Sequence, residues 1–259
     1  MAKDIKNFSL RNRETQTSDD QEYKSEMETH FNESAGTSID KLNNFPRFVS
    51  RQALSIFLAK HDLFRQILNI HGAVVECGVF MGGGVFTWAQ LSAIYETVNH
   101  GRKIIGFDTF SGFPDLSTKD FRKNAPREEH KETHSYSFEA LDELEKSSAL
   151  FDLNRPVGHI PKIEFVKGDA LQTIPKYLEE NEHLVVALLY LDFDLYEPTR
   201  IALRHFLPRM PKGAILAFDE LNQKQWPGET MAVLEEIGIR KLHIQRFPFT
   251  PGLSYAVLD

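Results

Sequence analysis

The sequence predicts an α/β fold built on a doubly wound, mostly parallel sheet. Two observations predict it: short, nearly continuous apolar runs recur along the chain, and stretches with apolar residues at helical spacing separate them. Strands of such composition are buried on both faces, and helical crossovers between them make neighbouring strands parallel. With 259 residues, the chain is long enough for one large domain of this kind.

The strands are expected in a regular order along the chain. Five lie at 73–78, 103–108, 163–166, 184–192 and 214–219, and two closing strands lie at 243–247 and 254–258. A helix at 86–94 follows the first strand. Between residues 114 and 160, a polar run, a helical pattern at 138–150 and a Pro/Gly loop interrupt the alternation. Insertions at the carboxyl ends of parallel strands lie over the ligand crevice, so we expect a lid here, with a solvated surface loop as the alternative.

The amino-terminal part of the chain differs in composition from the rest. Residues 1–35 carry many charges and amides, so we expect a flexible polar arm followed by a single domain at 36–259. Apolar residues recur at helical spacing between residues 45 and 68, which predicts N-terminal helices. The apolar helices around 56–68 leave room for a dimer face, and a homo-oligomer is therefore among the expected partners.

Composition and charge exclude several classes of protein. Hydrophobic residues make up 41% and charged residues 26%, as in globular domains, and the single cysteine, Cys77, cannot form an internal disulfide. The net charge of −7 disfavours nucleic acid as a partner. No apolar run approaches the length of a membrane span, and the first residues lack the apolar core of a signal peptide. We therefore expect a cytoplasmic protein without a membrane partner.

A glycine-rich turn follows the first predicted strand. The segment Glu-Cys-Gly-Val-Phe-Met-Gly-Gly-Gly at 76–84 opens a helix, and its glycines let the backbone turn sharply and approach a ligand. The spacing differs from the G-x-G-x-x-G of dinucleotide binders, and no lysine follows Gly84, which excludes a P-loop. A nucleotide-like ligand and a purely structural turn remain alternatives.

Acidic residues end the second and third predicted strands. Asp108 is placed to accept both hydroxyls of a ribose, and Asp169 with Ala170 is placed where an adenine edge could be read. Each aspartate alone could equally cap a helix. Combined with the glycine-rich turn, the two acids predict an adenosyl ligand.

Four further acids lie at the ends of the fourth and fifth predicted strands. They are Asp192, Asp194, Asp219 and Glu220. Carboxylates at this density repel one another unless they share a cation, and oxygen ligands suit Mg²⁺, so we predict that Asp192, Asp219 and Glu220 bind it. A solvated acidic rim is the alternative. If the strand geometry continues, its period of two places Asp194 on the same face as Asp192, which makes Asp194 the candidate general base.

Four blocks of the sequence together resemble the macrocin O-methyltransferase family. They are Val-Glu-Cys-Gly at 75–78 with its glycine cluster, Gly-Phe-Asp-Thr-Phe-Ser-Gly-Phe-Pro at 106–114, Leu-Asp-Phe-Asp-Leu-Tyr-Glu-Pro-Thr at 191–199, and Phe-Asp-Glu at 218–220. The resemblance runs from about residue 45 to the C-terminus. The segment 219–222 leading into Trp-Pro-Gly-Glu at 226–229 also looks like the deoxyhexose 3-O-methyltransferase branch.

The resemblance implies a Rossmann-like class I methyltransferase that uses S-adenosylmethionine and Mg²⁺ to methylate a sugar hydroxyl. The acceptor would be a nucleotide-linked deoxyhexose or a glycan or natural-product sugar. For the cofactor, the resemblance implies methionine binding by Glu76, Gly78 and Gly82, ribose binding by Asp108 with Thr109 and Ser111 beside it, and adenine binding by Asp169 and Ala170. It implies metal binding by Asp192, Asp219 and Glu220, with Asp192 also on the cofactor side. Asp194 is the implied base. Two other readings stay open: a non-catalytic adenosyl-binding or assembly protein, and a nicotinamide-dependent oxidoreductase, for which the four acids have no role.

Overall fold

The computed structural model describes residues 17–121 and 140–259. Its helices are α1 (Ser18–Glu33), α2 (Ser38–Asn43), α3 (Arg51–Gln66), α4 (Gly83–Tyr95), α5 (Leu141–Leu153), α6 (Ala170–Glu180), α7 (Tyr196–Phe206) and α8 (Pro227–Glu236). Its strands are β1 (Ala73–Cys77), β2 (Ile104–Asp108), β3 (Ile163–Lys167), β4 (Val186–Leu191), β5 (Ile215–Phe218), β6 (Gln245–Arg246) and β7 (Ser254–Val257).

The strands form one sheet in the order β3-β2-β1-β4-β5-β7-β6. The first five are parallel, and β7 runs antiparallel to both β5 and β6. The chain extends outward from β1 through β2 to β3 and then returns to place β4 on the other side of β1. This reversal is a topological switch point, where open α/β sheets bind ligands beyond the carboxyl ends of the strands. The predicted doubly wound, mostly parallel sheet is confirmed.

Several element boundaries differ from the sequence prediction. The strands β4 and β5 end at Leu191 and Phe218, one residue before the acids that the sequence predicted as strand ends. The helix α4 begins at Gly83, within the glycine cluster, rather than at residue 86. The glycine cluster therefore belongs to the start of a helix as well as to the turn before it.

The apolar core lies on both faces of the sheet. On one face, β1 and β4 pack with α3, α4 and α5, and Trp88 and Tyr190 are fully buried there. On the other face the strands pack with α6, α7 and α8, and Phe107 and Phe206 meet edge to face at 5.6 Å. Cys77, at the end of β1, is fully buried, and burial raises the pKa of its thiol well above the ordinary value.

The contacts of the chain divide it into two units, Met1–Ile56 and Phe57–Asp259. In the first unit, α1 occupies much of the segment for which the sequence predicted a polar arm. A capping box starts this helix, because the Thr17 side chain accepts a hydrogen bond from the Asp20 backbone and the Asp20 side chain accepts one from the Thr17 backbone. Residues 1–16 lie outside the described part. The division into an arm at 1–35 and a domain at 36–259 stays a prediction.

The carboxyl-terminal half of α3 buries most of its apolar residues. Leu63 and Phe64 of this helix, and Ile67 directly after it, are fully buried in the core of the second unit, whereas Phe57 and Leu58 are 37% and 45% exposed. The apolar pattern of this helix is thus explained mainly by the core, and a homo-oligomer stays a prediction.

The described parts of the 114–160 insertion pack against the domain. Residues 122–139, which include the start of the predicted 138–150 helix, lie outside the described residues, and α5 begins at Leu141. Leu144 and Phe151 of α5 join the core that contains Trp88. Whether the insertion acts as a lid stays a prediction.

None of the described helices combines the length and apolar character needed to cross a membrane. The expected cytoplasmic location and the expected lack of nucleic-acid and membrane partners stay predictions.

Candidate active site

The loops that follow β1, β4 and β5 meet at the switch point. The backbone N–H of Asp192 donates to the carbonyl of Cys77 at 2.7 Å, and the N–H of Asp219 donates to the carbonyl of Leu191 at 3.1 Å. Hydrogen bonding between neighbouring strands therefore continues one residue beyond the strands and brings the acid-bearing loops side by side.

Two glycines of the 76–84 segment have backbone geometry that other residues rarely adopt. Gly78 has φ +101°, and a Cβ there would lie 2.0 Å from the carbonyl oxygen of Asp192. Gly82 has φ +83° at the N-cap of α4, and a Cβ there would meet the Leu144 side chain at 2.6 Å. These positions need glycine because the left-handed region and the close neighbours both exclude a side chain. The turn thus leaves backbone N–H groups at the start of α4, where the helix dipole favours a negatively charged group.

Asp108 holds the loops that follow β1 and β2. One carboxylate oxygen accepts the backbone N–H groups of Val79 and Phe80 at 2.8 and 2.9 Å, and the other accepts that of Phe110 at 2.7 Å. Phe80 and Phe110 both have positive φ, 49° and 54°, which these bonds help to stabilise. These three bonds give the half-buried Asp108 a structural role that the sequence did not predict. Ribose binding by Asp108 stays a prediction.

Thr109 and Ser111 form the turn beyond Asp108. The Thr109 hydroxyl donates to the carbonyl of Gly112 at 2.6 Å and accepts the N–H of Ser111 at 3.2 Å. This local hydrogen bonding is typical of a threonine that shapes its own turn. The Ser111 residue is exposed at the ligand end of the sheet.

Asp169 caps α6. Its side chain accepts the backbone N–H of Leu171 at 3.0 Å, as expected for an aspartate at an N-cap. The residue before it, Gly168, has φ +137°, and Ala170 is buried. The capping alternative recognised from the sequence is thus observed, and adenine binding by Asp169 and Ala170 stays a prediction.

Glu76 points into the core rather than into solvent. Its carboxylate is 2% exposed, pairs with Lys60 Nζ at 3.0 Å and accepts a hydrogen bond from Trp88 Nε1 at 2.7 Å. Burial raises the pKa of Glu76, and the charge of Lys60 opposes that rise. A Cβ on Gly84 would lie 1.7 Å from this carboxylate. Glu76 therefore supports the first turn of α4 from below, and contact with the methionine end of a cofactor stays a prediction.

Asp192 and Asp219 follow adjacent strands and flank one buried tyrosine. The hydroxyl of Tyr190 donates to Asp219 Oδ1 at 2.7 Å. Burial raises the pKa of Tyr190 well above its ordinary value, and the charges of Asp219 and then Asp192 raise it further. Both aspartates are half-buried. The two predicted metal ligands, which directly follow the neighbouring strands β4 and β5, are thus brought together.

Glu220 has a different environment from the two aspartates. It is 4% exposed, and its backbone N–H donates to Glu229 Oε1 at 3.1 Å. Glu229 is itself 1% exposed, and burial, followed by the charge of Asp219, raises its pKa well above the ordinary value. Direct metal binding by Glu220 stays a prediction.

Asp194 lies in a turn rather than in a continuing strand. It has φ +62°, a left-handed conformation in which aspartate is one of the better tolerated residues. The premise that a strand period of two relates Asp192 to Asp194 is therefore wrong, because β4 ends at Leu191. Asp194 still belongs to the acidic group, since its charge contributes to the raised pKa of Glu229.

In the described residues, no group of three or more acidic, histidine or cysteine side chains is arranged to hold a metal ion by itself. Mg²⁺ commonly uses one or two protein carboxylates and completes its octahedron with water and substrate oxygens. Two half-buried carboxylates on neighbouring strand ends, Asp192 and Asp219, fit that donor chemistry.

The sequence did not predict three residues of this region. They are Tyr190, Glu229 and Lys60, which contact the predicted site residues Asp219, Glu220 and Glu76. The sequence around each of them is typical of an ordinary strand, loop or helix. A buried polar residue inside the very apolar 184–191 run was the one available signal, and it concerned Tyr190.

Comparison with known proteins identifies the family. The TylF family model, macrocin-O-methyltransferase, matches residues 49–235, which is more than half of the chain. The chain belongs to the macrocin O-methyltransferase family. It is an S-adenosylmethionine-dependent O-methyltransferase, as the resemblance implied.

Solved structures of similar proteins agree with this assignment. The crystal structure of CalS11, calicheamicin methyltransferase, is 32% identical with a TM-score of 0.88, and the match covers 93% of each chain. The apo structure of CalS11, a TDP-rhamnose 3'-O-methyltransferase of calicheamicin biosynthesis, is 30% identical with a TM-score of 0.80, covering 93% of this chain and 95% of that one. The O-methyltransferase NovP, at 19% identity and a TM-score of 0.59 over 78% and 79% of the chains, shares the fold. No curated protein matches the chain.

Membership of this macrocin O-methyltransferase family decides between the readings that the sequence left open. An oxidoreductase would need a nicotinamide site, whereas the family and its fold supply a methyltransferase. S-adenosylmethionine is accordingly the methyl donor. The turn at 76–84 and the loops after β2 and β3 lie at the carboxyl edge of the sheet, where open α/β sheets bind ligands.

Proposed function

We propose that this enzyme transfers the methyl group of S-adenosylmethionine to a hydroxyl of a sugar, with Mg²⁺ bound beside the acceptor. The acceptor would be a nucleotide-linked deoxyhexose or a sugar of a glycan or natural product. The observation that carries the proposal is the 30–32% identity, over 93% of the chain, to CalS11, a TDP-rhamnose 3'-O-methyltransferase.

The proposed cofactor contacts follow the loops at the carboxyl edge. Gly78 and Gly82 leave room for the methionine end, and the half-buried Asp108, with Thr109 and Ser111, would receive the ribose. Asp169 and Ala170 would border the adenine. Three backbone N–H groups already hold the Asp108 carboxylate, so it would meet the ribose in a fixed orientation that costs little to form on binding.

Asp192 and Asp219 would hold the cation, and Glu220 is the further candidate ligand. When bound, Mg²⁺ would favour ionisation of a sugar hydroxyl at that place. The chain's own contribution is to orient the acceptor and to remove its proton. Asp194 is the proposed base: its carboxylate takes the hydroxyl proton while the oxygen forms a bond to the methyl carbon and the methyl–sulfur bond breaks. The sulfonium charge is lost in that step, and S-adenosylhomocysteine leaves.

The proposal is tested by methyl transfer to a panel of nucleotide sugars that includes TDP-rhamnose, with S-adenosylmethionine and with either Mg²⁺ or EDTA. We expect a methylated sugar with Mg²⁺ and strongly reduced product with EDTA. Binding of S-adenosylmethionine without turnover of any sugar in the panel would contradict the proposal that the acceptor is a sugar.

A variant of Asp194 tests the base. We expect Asp194→Asn to lower kcat by about 10²- to 10⁴-fold, the usual range for a general base, while binding of S-adenosylmethionine is retained. Asn suits the left-handed backbone, so the fold should be unaffected. Asp62 in α3, whose side chain is 48% exposed, provides the matched control Asp62→Asn, which should keep full activity. Near-normal turnover by Asp194→Asn would exclude Asp194 as the base.

A further inference from the structure

Tyr190 occupies the centre of the sheet directly beneath the acidic loops. It lies in β4, paired with Glu76 of β1 on one side and with Ala217 of β5 on the other. The side chain is fully buried. Its hydroxyl reaches upward to Asp219 Oδ1 at 2.7 Å, the length of a strong O–H···O bond to a carboxylate.

The core does not require this hydroxyl. A phenylalanine would fill the same space beside Trp88 and Lys60 and would avoid the free-energy cost of burying a hydroxyl group. The hydroxyl is therefore explained by its bond to Asp219. One oxygen of the Asp219 carboxylate is fixed by that bond, which restricts the rotation that the side chain would otherwise have at the half-exposed end of β5.

The Tyr190 ring is itself held from several directions. Trp88 meets it edge to face at 5.8 Å, and Lys60 Nζ lies 3.9 Å from its centroid. Glu76 ties these two neighbours together, because one carboxylate oxygen pairs with Lys60 and the other accepts the Trp88 indole N–H. We call Lys60, Glu76 and Trp88 the Tyr190 clamp. The clamp leaves the ring no freedom to swing its hydroxyl away from Asp219.

We propose that Tyr190 is a positioning residue: it orients the Asp219 carboxylate for divalent-cation binding, and the Tyr190 clamp holds it in place. The inference rests on the proposed function, because it takes Asp219 as a metal ligand. Hydrogen bonds to ligating carboxylates of this kind commonly change metal affinity by about 10- to 100-fold. The clamp also lies under the first turn of α4, so the same buried group supports both the glycine-rich turn and the metal carboxylate.

The test measures Mn²⁺ binding to the full chain by the electron paramagnetic resonance signal of free Mn²⁺, without acceptor or S-adenosylmethionine. We expect Tyr190→Phe to weaken Mn²⁺ binding about 10- to 100-fold. The matched control is Tyr177→Phe, which also removes a hydroxyl that donates to a carboxylate, that of Glu164 at 3.0 Å. This control should bind Mn²⁺ as tightly as the unmodified protein, because Tyr177 lies on the other face of the sheet.

A double-mutant cycle with Asp219, the proposed metal ligand, separates the positioning role from any general effect on folding. In an Asp219→Ala background, Tyr190→Phe should cause no further loss of Mn²⁺ affinity, since the carboxylate that it orients is gone. In turnover assays, excess Mg²⁺ should restore most of the kcat of Tyr190→Phe, a rescue that a merely misfolded variant would not show.

The outcomes separate this inference from the proposed function. If the unmodified protein binds Mn²⁺ and Tyr190→Phe binds it equally well, the positioning role is overturned while the metal site stands. If Tyr190→Phe weakens Mn²⁺ binding in the Asp219→Ala background as much as it does in the unmodified protein, the positioning role is overturned too. Tyr190 would then affect Mn²⁺ binding by another route than Asp219. If the unmodified protein binds no Mn²⁺, both the metal site and the positioning role are overturned.

Discussion

The buried carboxylate of Asp120 accepts a hydrogen bond from the backbone N–H of Tyr196 at 2.6 Å, although the two residues are 76 positions apart. Tyr196 begins α7, which follows directly on the turn that carries Asp192 and Asp194. The other Asp120 oxygen accepts the N–H of Ser117 at 2.7 Å. One side chain therefore ties the start of the 114–160 insertion to the helix that follows the acidic turn.

We expect Asp120→Ala to destabilise the protein by about 1–3 kcal/mol, because it leaves buried backbone donors without acceptors. For a domain of this size, that corresponds to a fall in Tm of about 2–4 °C per kcal/mol, measured by circular dichroism. Asp120→Asn keeps an oxygen for Tyr196 and should lose less. The exposed capping carboxylate of Asp40 gives the control Asp40→Ala, with a smaller effect. Identical melting of Asp120→Ala and the unmodified protein would contradict the role of this bond.

Adjacent glycines in the first turn of α4 should respond in opposite directions to alanine. A Cβ on Gly84 would lie 1.7 Å from Glu76 Oε1 and 2.2 Å from Lys60 Nζ, whereas a Cβ on Gly83 has nothing within 4 Å. We expect Gly84→Ala to cost about 1–3 kcal/mol or more through overpacking. Gly83→Ala should stabilise by up to about 1 kcal/mol through helix propensity. Urea midpoints compare the two, and equal midpoints would disprove the packing argument.

The Lys60–Glu76 pair gives a prediction that depends on pH. Lys60→Met leaves a buried carboxylate without its cation and should cost about 3–5 kcal/mol at neutral pH. Burial already raises the pKa of Glu76. The folded state then binds the proton more tightly than the unfolded state, so the stability of the variant should increase as pH falls. Urea unfolding at pH 5 and pH 8 measures this.

A double variant serves as the control for the ion pair. Glu76→Gln removes the charge that Lys60 compensates, so Lys60→Met combined with Glu76→Gln should lose less stability than the sum of the single losses. Strict additivity of the two losses would show that the pair is not coupled.

Lys162 provides a second pH dependence, at alkaline pH. Its Nζ donates to the carbonyls of Asn99 and Arg102 at 2.7 and 3.0 Å, and burial, followed by the charge of Arg155, lowers its pKa from 10.5 to about 8. Between these two values the unfolded chain holds the proton and the folded chain does not. The stability of the unmodified protein should therefore rise from pH 8 towards pH 10 relative to Lys162→Met. A constant difference in urea unfolding over that range would refute the lowered pKa.

Much of the fold was predictable because the apolar runs at β1, β2, β4 and β5 are short, nearly continuous and separated by helical patterns. The acids at their ends were visible for the same reason, since a strand buried on both faces must end where charges begin. Asp108 ends β2 as expected, whereas β3 ends at Lys167 and Asp169 is the N-cap of α6. Their structural bonds, to the loop after β1 and to the start of α6, could not be told from ligand binding by sequence alone.

The rest of the site depends on contacts between distant segments. The Glu76 side chain points into the core because it bonds to Lys60 in α3 and Trp88 in α4. No local sequence pattern indicates such distant partners. The condition that strand geometry continues to Asp194 fails because β4 ends at Leu191 and Asp194 has a left-handed backbone, which no local pattern indicated. The group formed by Tyr190, Asp219 and Glu229 likewise needs the three-dimensional arrangement of β4, β5 and α8.

Cys77 is the only thiol of the chain, and it lies in β1, hydrogen-bonded on one side to β2 and on the other to β4. A thiol-reactive dye added to the intact enzyme can reach it only in molecules whose central strand has come away from its neighbours. The labelling rate therefore measures how often the sheet opens spontaneously, and the measurement needs no engineered cysteine.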